Sequence, residues 1–500
     1  MLGQSDALNS LDTPITFVSS PRPSMSAAAD VVTLDDFALK FPDDVEESFS
    51  AAYGQSHWDE IKKALARPPA YTSVRVNTLV TDQAALVLKL NEALKDFNAR
   101  LASAGRPPIV AVPHVSLPDV VMVPSAPRIA LDVADVMSRK KIIVDRLCGE
   151  AVLRGSDIFA RGVMCASSAL SHSEPVAIFV DLDHSATRGS DAELHTGRKV
   201  LIAQGTTAMA RSEMFRAMKG LAVAVNTRFC SDAPPLNGVL AGELYMQNTP
   251  SSVVAHVLNP EAGDTVLDMC AAPGGKTSHL ATLMQNKGTL VACDRSKRKV
   301  LEMKSYFDSI GLSIITPIRL DSTQSVRPKD SEVLSVQEII AAAAKARTNE
   351  KLLQIDGFSP ETFDKILLDP PCSALGLRPR LLHACNMSEL EQYSNMQRNF
   401  LWAAVFLLKP GGTLVYSTCT VNPNENEKMV AHALKEYPLE LVPQSPIVGA
   451  PGLLNMGLSP EDAAKVQRFD PSDAIDTMGF FCAKFTKTKS IRATALVAEA

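Results

Sequence analysis

Two cysteines follow apolar segments that are typical of buried strands. Cys372 lies in DPPCS, after FDKILL, and Cys419 lies in STCT, after GTLVY. The proline pair stiffens the chain before Cys372 and fixes the directions of that thiol and of Asp369. The thiolate is the nucleophilic form of cysteine, and a nearby cation such as Lys276 favours it. Taken alone, a Pro-Cys motif is better explained as a rigid strand exit with a buried thiol.

A second group of residues forms a glycine-containing loop, LDMCAAPGGKT, between a predicted strand and a predicted helix. The pair Gly274 and Gly275 lets a ligand approach the backbone closely. The loop is not a P-loop, because Cys270 stands where the first glycine of that motif belongs. Asp294 ends the next predicted strand, where an acid accepts the ribose hydroxyls of a nucleoside. The loop and the acid together favour an adenosyl cofactor over an ordinary tight turn.

These motifs need a scaffold that brings strand ends together. Strands are predicted over 265–268, 288–294, 363–369 and 412–417, with helical patterns between them. This alternation predicts a doubly wound, Rossmann-like α/β sheet. Ligands bind at the carboxyl ends of the strands in such sheets, so the two cysteines are expected to converge on one ligand.

The predicted pair of thiols fits the methylation of carbon 5 of cytosine. Carbon 5 is a poor nucleophile until a thiolate adds to carbon 6, and a base must afterwards remove the carbon 5 proton so that the thiolate can leave. Cys419, Cys372 and Asp369 supply a nucleophilic thiol, a second thiol and an acid near N3. These are the groups that the reaction requires.

The same segments resemble the Sun (NSUN) family of RNA 5-methylcytosine methyltransferases. Over about 240–487, in the family's order, the similarity is carried by LDMCAAPGGKTSHLA, FDKILLDPPCSALG, LKPGGTLVYSTCTVNPNENE and QRFDPSDAIDTMGFFCAKF. It implies S-adenosyl-L-methionine as cofactor, Cys419 as nucleophile, Cys372 as the residue that assists release, and catalytic contributions from Asp369 and Lys276. The residues that it implies for the cofactor and base pocket are Cys270, Ala271, Ala272, Pro273, Gly274, Gly275, Lys276, Asp294, Asp321 and Asp369.

A second resemblance concerns the middle of the chain. GEAVLRGSDIFARGV and KVLIAQG resemble a PUA domain, a small β-barrel that binds RNA. The short strands predicted over 138–232, which are separated by glycines, agree with a barrel. Family members with this inserted domain methylate an acceptor-stem cytosine of tRNA, C72, beside the CCA end, and the resemblance implies that target here. The alternative that this region is a generic barrel, which serves only interdomain packing, remains.

Recognition of a tRNA end needs basic and stacking groups. The segment YTSVRVNTL resembles the family's N-terminal RNA-binding segment, and single-stranded CCA bases can be splayed, stacked and read on their edges. A paired target cytosine must leave the helix, which a terminal pair does at low cost. The candidate phosphate contacts are Arg154, Arg161, Arg198 and Lys199. Each of these alone is more typical of a solvated surface charge.

The chain of 500 residues is long enough for several domains. We predict a disordered leader over 1–33, an N-terminal α+β RNA-binding segment over 34–137, a PUA domain over 138–232, a methyltransferase domain over 240–487 and a tail over 488–500. Finer predictions are helices over 34–66 and 80–98, a strand over 71–79, an exposed hairpin loop over 184–198 and a partly helical surface insertion over 322–360.

Composition limits the cellular compartment and the binding partners that we expect for this protein. The nine cysteines are scattered and the net charge is −5. The absence of a C-x-x-C pair argues against disulfides and a structural zinc site, so we predict a reducing compartment and no metal ligands. Any RNA-binding surface must be a local patch. No apolar run approaches the roughly 20 residues of a membrane helix. We expect a cytoplasmic monomer that binds tRNA and neither membrane nor DNA, and a nuclear or organellar location stays open.

Two other functions stay open at this point. One is 5-methylcytosine formation in mRNA or rRNA, and the other is a non-catalytic RNA-binding factor that keeps the fold. The intact set of Cys419, Cys372, Asp369 and Lys276 argues against the second. The sequence does not determine which tRNA species is methylated.

Overall fold

The computed structural model describes residues 32–129, 131–328, 331–345, 353 and 355–491. The predicted leader and tail therefore lie mostly outside the described residues. Of the leader, Val32–Thr33 form a strand, which differs from the prediction of disorder at these two positions. Within the described ranges, no helix combines the length and the apolar character needed to cross a membrane.

The N-terminal part of the chain alternates short strands with paired helices. In chain order these elements are β1 (Val32–Thr33), α1 (Asp43–Tyr53), α2 (Gln55–Leu65), β2 (Tyr71–Val76), α3 (Gln83–Ala93), α4 (Lys95–Ser103), β3 (Val112–Pro113) and β4 (Val120–Pro124).

The helix predicted over 34–66 is wrong at its start. Residues 34–42 are not helical, and α1 begins only at Asp43. Pro42 precedes it, and a proline disfavours helical backbone at the residue before it, here Phe41. Leu34 and Phe41 are buried all the same. Their apolar spacing therefore reflects packing of an irregular segment, not a helical face.

The middle of the chain is richest in strands. Its elements are α5 (Val133–Ser138), β5 (Lys140–Val144), α6 (Arg146–Leu153), β6 (Ile158–Phe159), β7 (Val163–Ala166), β8 (Pro175–Asp181), β9 (Ser190–Asp191), β10 (Lys199–Thr207), α7 (Arg211–Ala217) and β11 (Leu221–Arg228). They form one sheet in the order β6-β11-β10-β8-β5-β7-β9, with β1 added beside β10. Among the described residues, the hydrogen-bonded strands run in a row and do not close into a ring.

The predicted hairpin loop over 184–198 connects the antiparallel neighbours β8 and β10. It is more ordered than an open loop, because it contains β9 and a short 3-10 turn, Ala192–Leu194. Arg188 holds it in place by donating hydrogen bonds to three backbone carbonyls of the segment 160–163.

The C-terminal half alternates strands and helices as predicted. Its elements are β12 (Leu244–Met246), α8 (Thr249–Leu258), β13 (Thr265–Asp268), α9 (Gly275–Leu283), β14 (Thr289–Asp294), α10 (Lys297–Ser309), β15 (Ile315–Arg319), α11 (Val336–Lys345), β16 (Phe363–Leu368), α12 (Met387–Leu407), β17 (Leu408–Thr418), α13 (Glu427–Glu436), β18 (Leu439–Leu441), α14 (Pro460–Ala463), β19 (Gln467–Phe469) and β20 (Phe480–Lys487).

These strands form a doubly wound sheet in the order β15-β14-β13-β16-β17-β20-β18, with β19 beside β20. The strands β13 to β17 are parallel, and β20 joins antiparallel to β17. The chain order reverses beside β13, which has β14 on one side and β16 on the other. This is the topological switch point at which open α/β sheets bind ligands.

Both faces of this sheet are covered, which explains its nearly continuous apolar strands. Alternate residues of β16 point to opposite cores, since Ile366 and Leu368 pack with one cluster and Leu367 with the other. Helices α11, α12 and α13 contribute to the first core, and α8, α9 and α10 to the second. The sheet therefore holds the carboxyl ends of β13, β16 and β17 in fixed relation to one another.

A smaller sheet connects the N-terminal part to this fold. Its order is β12-β2-β4-β3, so the strand predicted over 71–79 pairs with Leu244–Met246 of the C-terminal half. Helices α1 and α2 pack elsewhere, against Leu375 and Val421 beside the two cysteine motifs. The N-terminal residues thus support the catalytic fold from two sides.

The insertion predicted over 322–360 is described in part, over 322–328, 331–345, 353 and 355–360. It contains helix α11, as predicted, and Val336 and Ile339 of this helix are buried against the sheet. The insertion therefore contributes apolar side chains to the core while leaving the strand order intact.

Candidate active site

The glycine-containing loop joins β13 to α9 and borders a cavity. Gly274 has a φ of 104°, in the region that favours glycine. A Cβ on Gly275 would lie 2.7 Å from the ring of Tyr245. Glycine is required here because the loop is pressed between Tyr245 and helix α10.

The cavity beside this loop measures about 180 Å³. Of the predicted cofactor residues, those that line it are Cys270, Ala271, Ala272, Pro273, Gly275, Lys276 and Asp369. Asp294 ends β14, and its carboxylate accepts a hydrogen bond from the Ser296 amide at 2.7 Å. Asp321 follows β15, and its carboxylate accepts hydrogen bonds from the amide and hydroxyl of Thr323. Both acids stand at the predicted edge of the sheet, beyond the residues that line this cavity.

Sequence reasoning missed one wall of the cavity. It is formed by the end of β12 and the start of α8, including Tyr245, Gln247, Asn248 and Ser251. Buried Arg75 of β2 lies over the Tyr245 ring, with 5.3 Å between the guanidinium carbon and the ring centroid. The strand pairing of β12 with β2 brings this wall into place, so no local sequence pattern indicates it.

Asp268, at the end of β13, is a second residue that sequence reasoning did not assign. Its side chain is 1% exposed and its Oδ2 accepts a hydrogen bond from the Thr277 hydroxyl at 2.7 Å. Burial raises the pKa of this carboxyl to about 7. Its Oδ1 accepts no hydrogen bond from the described residues and the residue lines the cavity. A buried oxygen without a donor is expected to receive one from a ligand.

The two predicted cysteines meet at the ends of neighbouring strands. Cys419 directly follows β17, and Cys372 lies in the loop after β16. Their Sγ atoms are 3.4 Å apart, close enough for a thiol to donate a hydrogen bond to its neighbour. The topology therefore produces the convergence that the strand-end positions predict.

The predicted acid and cation are paired next to these thiols. The Nζ of Lys276 lies 2.7 Å from Oδ2 of Asp369, and the Ser417 hydroxyl donates to the other oxygen at 2.7 Å. Burial works against the charge of Lys276, but Asp369 outweighs it, and the pKa of the ammonium is raised. Lys276 therefore stays charged beside Cys419.

The environment distinguishes the two thiols. The hydrogen bond from Cys372 lowers the pKa of Cys419 against the effects of burial and Asp369, and the charge of Lys276 lowers it further. The same hydrogen bond, together with burial, raises the pKa of Cys372. Cys419 is thus the more acidic thiol of this pair, and Cys372 is the more basic one.

One cluster of potential metal ligands lies outside this site, although the sequence predicts none. Asp119, His256 and His279 offer three ligand atoms that lie within 4.8 Å of one another. The imidazole nitrogens are 2.7 Å and 2.6 Å from the carboxylate oxygens. These are hydrogen-bond lengths, shorter than the spacing of about 3.3 Å between ligands of a tetrahedral ion bound at about 2.0 Å. The cluster is therefore a hydrogen-bonded link between Asp119, the residue before β4, and helices α8 and α9.

A second cavity lies in the middle of the chain. It measures about 470 Å³ and is lined by Arg146, Leu147, Phe159, Arg161 and His184, among others. Phe159 is 57% exposed and borders this cavity. The cavity therefore offers apolar and basic groups side by side.

The candidate phosphate contacts are not equally accessible. Arg154 and Arg161 are exposed. Arg198 is exposed and paired with Asp183, with 2.7 Å between nitrogen and oxygen. Lys199 is buried, and its ammonium donates to the His195 carbonyl at 3.0 Å. Its position in a strand turns it inward, against the prediction.

Comparison with known proteins agrees with this geometry. The model of the family described as 16S rRNA methyltransferase RsmB/F matches residues 255–486. The tRNA (cytosine(72)-C(5))-methyltransferase NSUN6 of Mus musculus is 36% identical over 90% of this chain and 94% of its own length. The rRNA (cytosine-C(5))-methyltransferase NOP2C of Arabidopsis thaliana is 34% identical over 90% of this chain and 91% of its own. The crystal structure of NSun6 from Pyrococcus horikoshii with SFG has a TM-score of 0.69 at 29% identity, covering 90% of this chain and 99% of that chain.

The doubly wound sheet, the glycine loop after its first strand and the thiols at neighbouring strand ends define a Rossmann-like methyltransferase. Similarity to the relatives extends over nine-tenths of the chain. The chain belongs to the Sun (NSUN) family of RNA cytosine-5 methyltransferases. The predicted family and enzyme class are thereby confirmed.

Proposed function

We propose that this enzyme transfers a methyl group from S-adenosylmethionine to carbon 5 of C72 in the acceptor stem of tRNA, beside the CCA end. The observation that carries the proposal is the pair of thiols 3.4 Å apart, with a cavity beside their acid and cation. The mouse relative named for cytosine 72, which aligns over almost its whole length, supports the choice of target.

The residues around the first cavity fit an adenosyl cofactor. Gly275 and Lys276 of the loop line this cavity, and Asp268 presents an oxygen without a donor to it. We assign the binding of the cofactor to the loop from Cys270 to Lys276, to Asp294 and Asp321 at the next strand ends, and to Asp369. When bound, S-adenosylmethionine supplies an electrophilic methyl group.

The thiols act in sequence on the cytosine. The Cys419 thiolate adds to carbon 6, and the electrons of the carbon 5–carbon 6 double bond become available at carbon 5. Asp369, held by Lys276 and Ser417, contacts N3 of the base. After methylation, Cys372, once its own proton has passed to solvent, accepts the carbon 5 proton. The electrons of that carbon–hydrogen bond restore the double bond, and Cys419 leaves as thiolate.

We assign RNA binding to the remaining parts of the chain. In this proposal residues 138–232 are a PUA domain, and residues 34–137 are an N-terminal RNA-binding segment that also supports the catalytic fold. The cavity with Phe159 and Arg161 receives the CCA end, because exposed rings stack on single-stranded bases and arginines pair with phosphates. The proposed enzyme acts as a cytoplasmic monomer.

Methyl transfer from labelled cofactor to defined transcripts tests this function. A tRNA transcript with C72 is expected to accept label, the same transcript with U72 is not, and one that lacks CCA is expected to accept it more slowly. Label in the U72 transcript at the rate of the C72 transcript would refute the proposed target. Equal rates with and without CCA would refute recognition of that end.

Methylation of rRNA is a second proposal, which the Arabidopsis relative favours because it is named for rRNA and is about as similar as the mouse relative. Adding rRNA transcripts to the same assay separates the two. Transfer to rRNA with no transfer to any tRNA would favour the second proposal, and both would still use the same thiol chemistry.

A further inference from the structure

A buried carboxylate joins the loops that carry the two active-site cysteines. Glu425 lies in the turn after Cys419 and is fully buried. Its Oε2 accepts hydrogen bonds from the Ser373 amide at 3.0 Å and from the Gln397 amide at 2.9 Å. Its Oε1 accepts from the Ser373 hydroxyl and from the Asn422 amide. Four donors therefore converge on one side chain, which is the environment of an ionised carboxylate.

Hydrogen bonds of this network hold the residues on both sides of Cys372. Ser373 follows the cysteine, and both its amide and its hydroxyl are held by Glu425. Pro371 precedes the cysteine, and its carbonyl accepts from the same Gln397 amide group that donates to Glu425, at 3.1 Å. The backbone position of Cys372 thus depends on a residue of the other loop.

The attacking cysteine is held more independently. Cys419 directly follows the central strand β17, whose last residue, Thr418, pairs with Phe481 of β20. Its carbonyl also accepts a hydrogen bond from the Gly376 amide of the Cys372 loop at 2.9 Å. Loss of the Glu425 carboxylate would free the loop of Cys372 while strand β17 still fixed Cys419. Burial raises the pKa of Glu425, and its charge contributes to the raised pKa of Cys372.

We propose that Glu425 is a positioning residue for the release step. Its carboxylate holds Cys372 at the distance from Cys419 at which Cys372 can accept the carbon 5 proton of the adduct. The inference rests on the proposed function, since it needs the roles assigned to the two thiols. Glu425 touches neither base nor cofactor in this proposal and acts through Cys372.

The variant Glu425→Gln in the full chain tests the inference with a C72 tRNA transcript. Formation of the covalent protein–RNA adduct and its decay are followed separately on denaturing gels after a single turnover. Adduct formation is expected to be nearly unchanged. Decay is expected to slow by about 10- to 100-fold, since displacing a reacting group by about 1 Å costs about 100-fold.

Two comparisons separate positioning from general loosening of the fold. Glu427→Gln changes an equally buried glutamate two residues away, whose carboxylate accepts hydrogen bonds from Arg468 and from the Leu453 amide and not from the Cys372 loop. It is expected to lower stability without accumulating adduct. Adding Glu425→Gln to Cys372→Ala is expected to slow decay no further, because residues that act through one another are non-additive. If Glu425→Gln does not fold, Ser373→Ala is expected to slow decay in the same direction, by less.

Each outcome decides the matter. Normal decay in a folded Glu425→Gln, equal slowing of formation and decay, or an additive double variant would overturn the positioning role alone. Failure of Cys372→Ala to accumulate adduct would overturn the proposed thiol roles, and with them this inference.

Discussion

The acidity of Cys419 depends on the thiol of Cys372, and removing that thiol should be measurable. Hydrogen bonds to charged groups contribute about 1.5–3 kcal/mol, and a thiol is a weak donor, so we take the lower end for the contact of 3.4 Å. One pKa unit corresponds to about 1.4 kcal/mol. Cys372→Ala is therefore expected to raise the pKa of Cys419 by about one unit. Below both pKa values the thiolate population should fall about tenfold.

The assay is the rate of alkylation of Cys419 by iodoacetamide as a function of pH. Peptide mass spectrometry separates this thiol from the others. The midpoint is expected to move to higher pH in Cys372→Ala and to move less in Cys372→Ser, which keeps a hydroxyl donor. Cys385→Ala, a change of the same type outside the pair, should leave it in place. An unchanged or lower midpoint in Cys372→Ala would refute the argument that this donor sets the charge of Cys419.

Three further predictions concern catalysis, stability and RNA binding. Cys419→Ala should abolish methyl transfer and the covalent adduct, whereas Cys372→Ala should accumulate adduct on denaturing gels; the reverse pattern would contradict the assignment. The pKa of Asp268 is raised from 3.8 in the unfolded chain to about 7 in the folded protein. Its contribution to the free energy of unfolding is therefore fully present below the unfolded pKa and is lost as pH rises through the folded pKa. Asp268→Asn without cofactor should therefore be more stable than wild type by up to about 4 kcal/mol near pH 8, and the difference in urea unfolding should shrink toward pH 5; a pH-independent difference would argue against a buried neutral acid. Phe159→Ala should weaken binding of tRNA with CCA by about 1–3 kcal/mol in a filter assay and leave binding of the shortened tRNA unchanged, and equal weakening of both would argue against stacking on that end.

Much of the catalytic half could be predicted because its signals are local. Strand and helix periods are visible within short windows, and Cys372, Cys419, Asp369 and Lys276 stand at strand or loop ends that any doubly wound sheet brings together. Asp268 has such a signal too, since it ends a strand at the switch point. Tyr245 carried none, because its place depends on pairing between β12 and β2, far apart in sequence.

Two predictions in the N-terminal half are wrong because burial there depends on contacts with residues far away in the sequence. An apolar spacing over 34–42 suggested a helix, but burial in an irregular segment ahead of Pro42 gives the same pattern. The sequence makes Lys199 a candidate phosphate contact, yet Lys199 begins a strand inside its sheet and is buried. In both cases the burial of side chains was decided by neighbours that the local sequence does not contain.

The sequence by itself determined the alternating α/β order, the two cysteine motifs and the glycine loop, because these depend on backbone preferences and on residue types a few positions apart. Only the tertiary structure decided which thiol is the more acidic, which oxygen of Asp268 lacks a donor and how Glu425 ties the two loops. The physical reason is that acidity and hydrogen bonding depend on burial and on charges a few ångströms away. Folding brings those charges together from distant parts of the chain, as with Lys276 at the start of α9 beside Cys419 after β17.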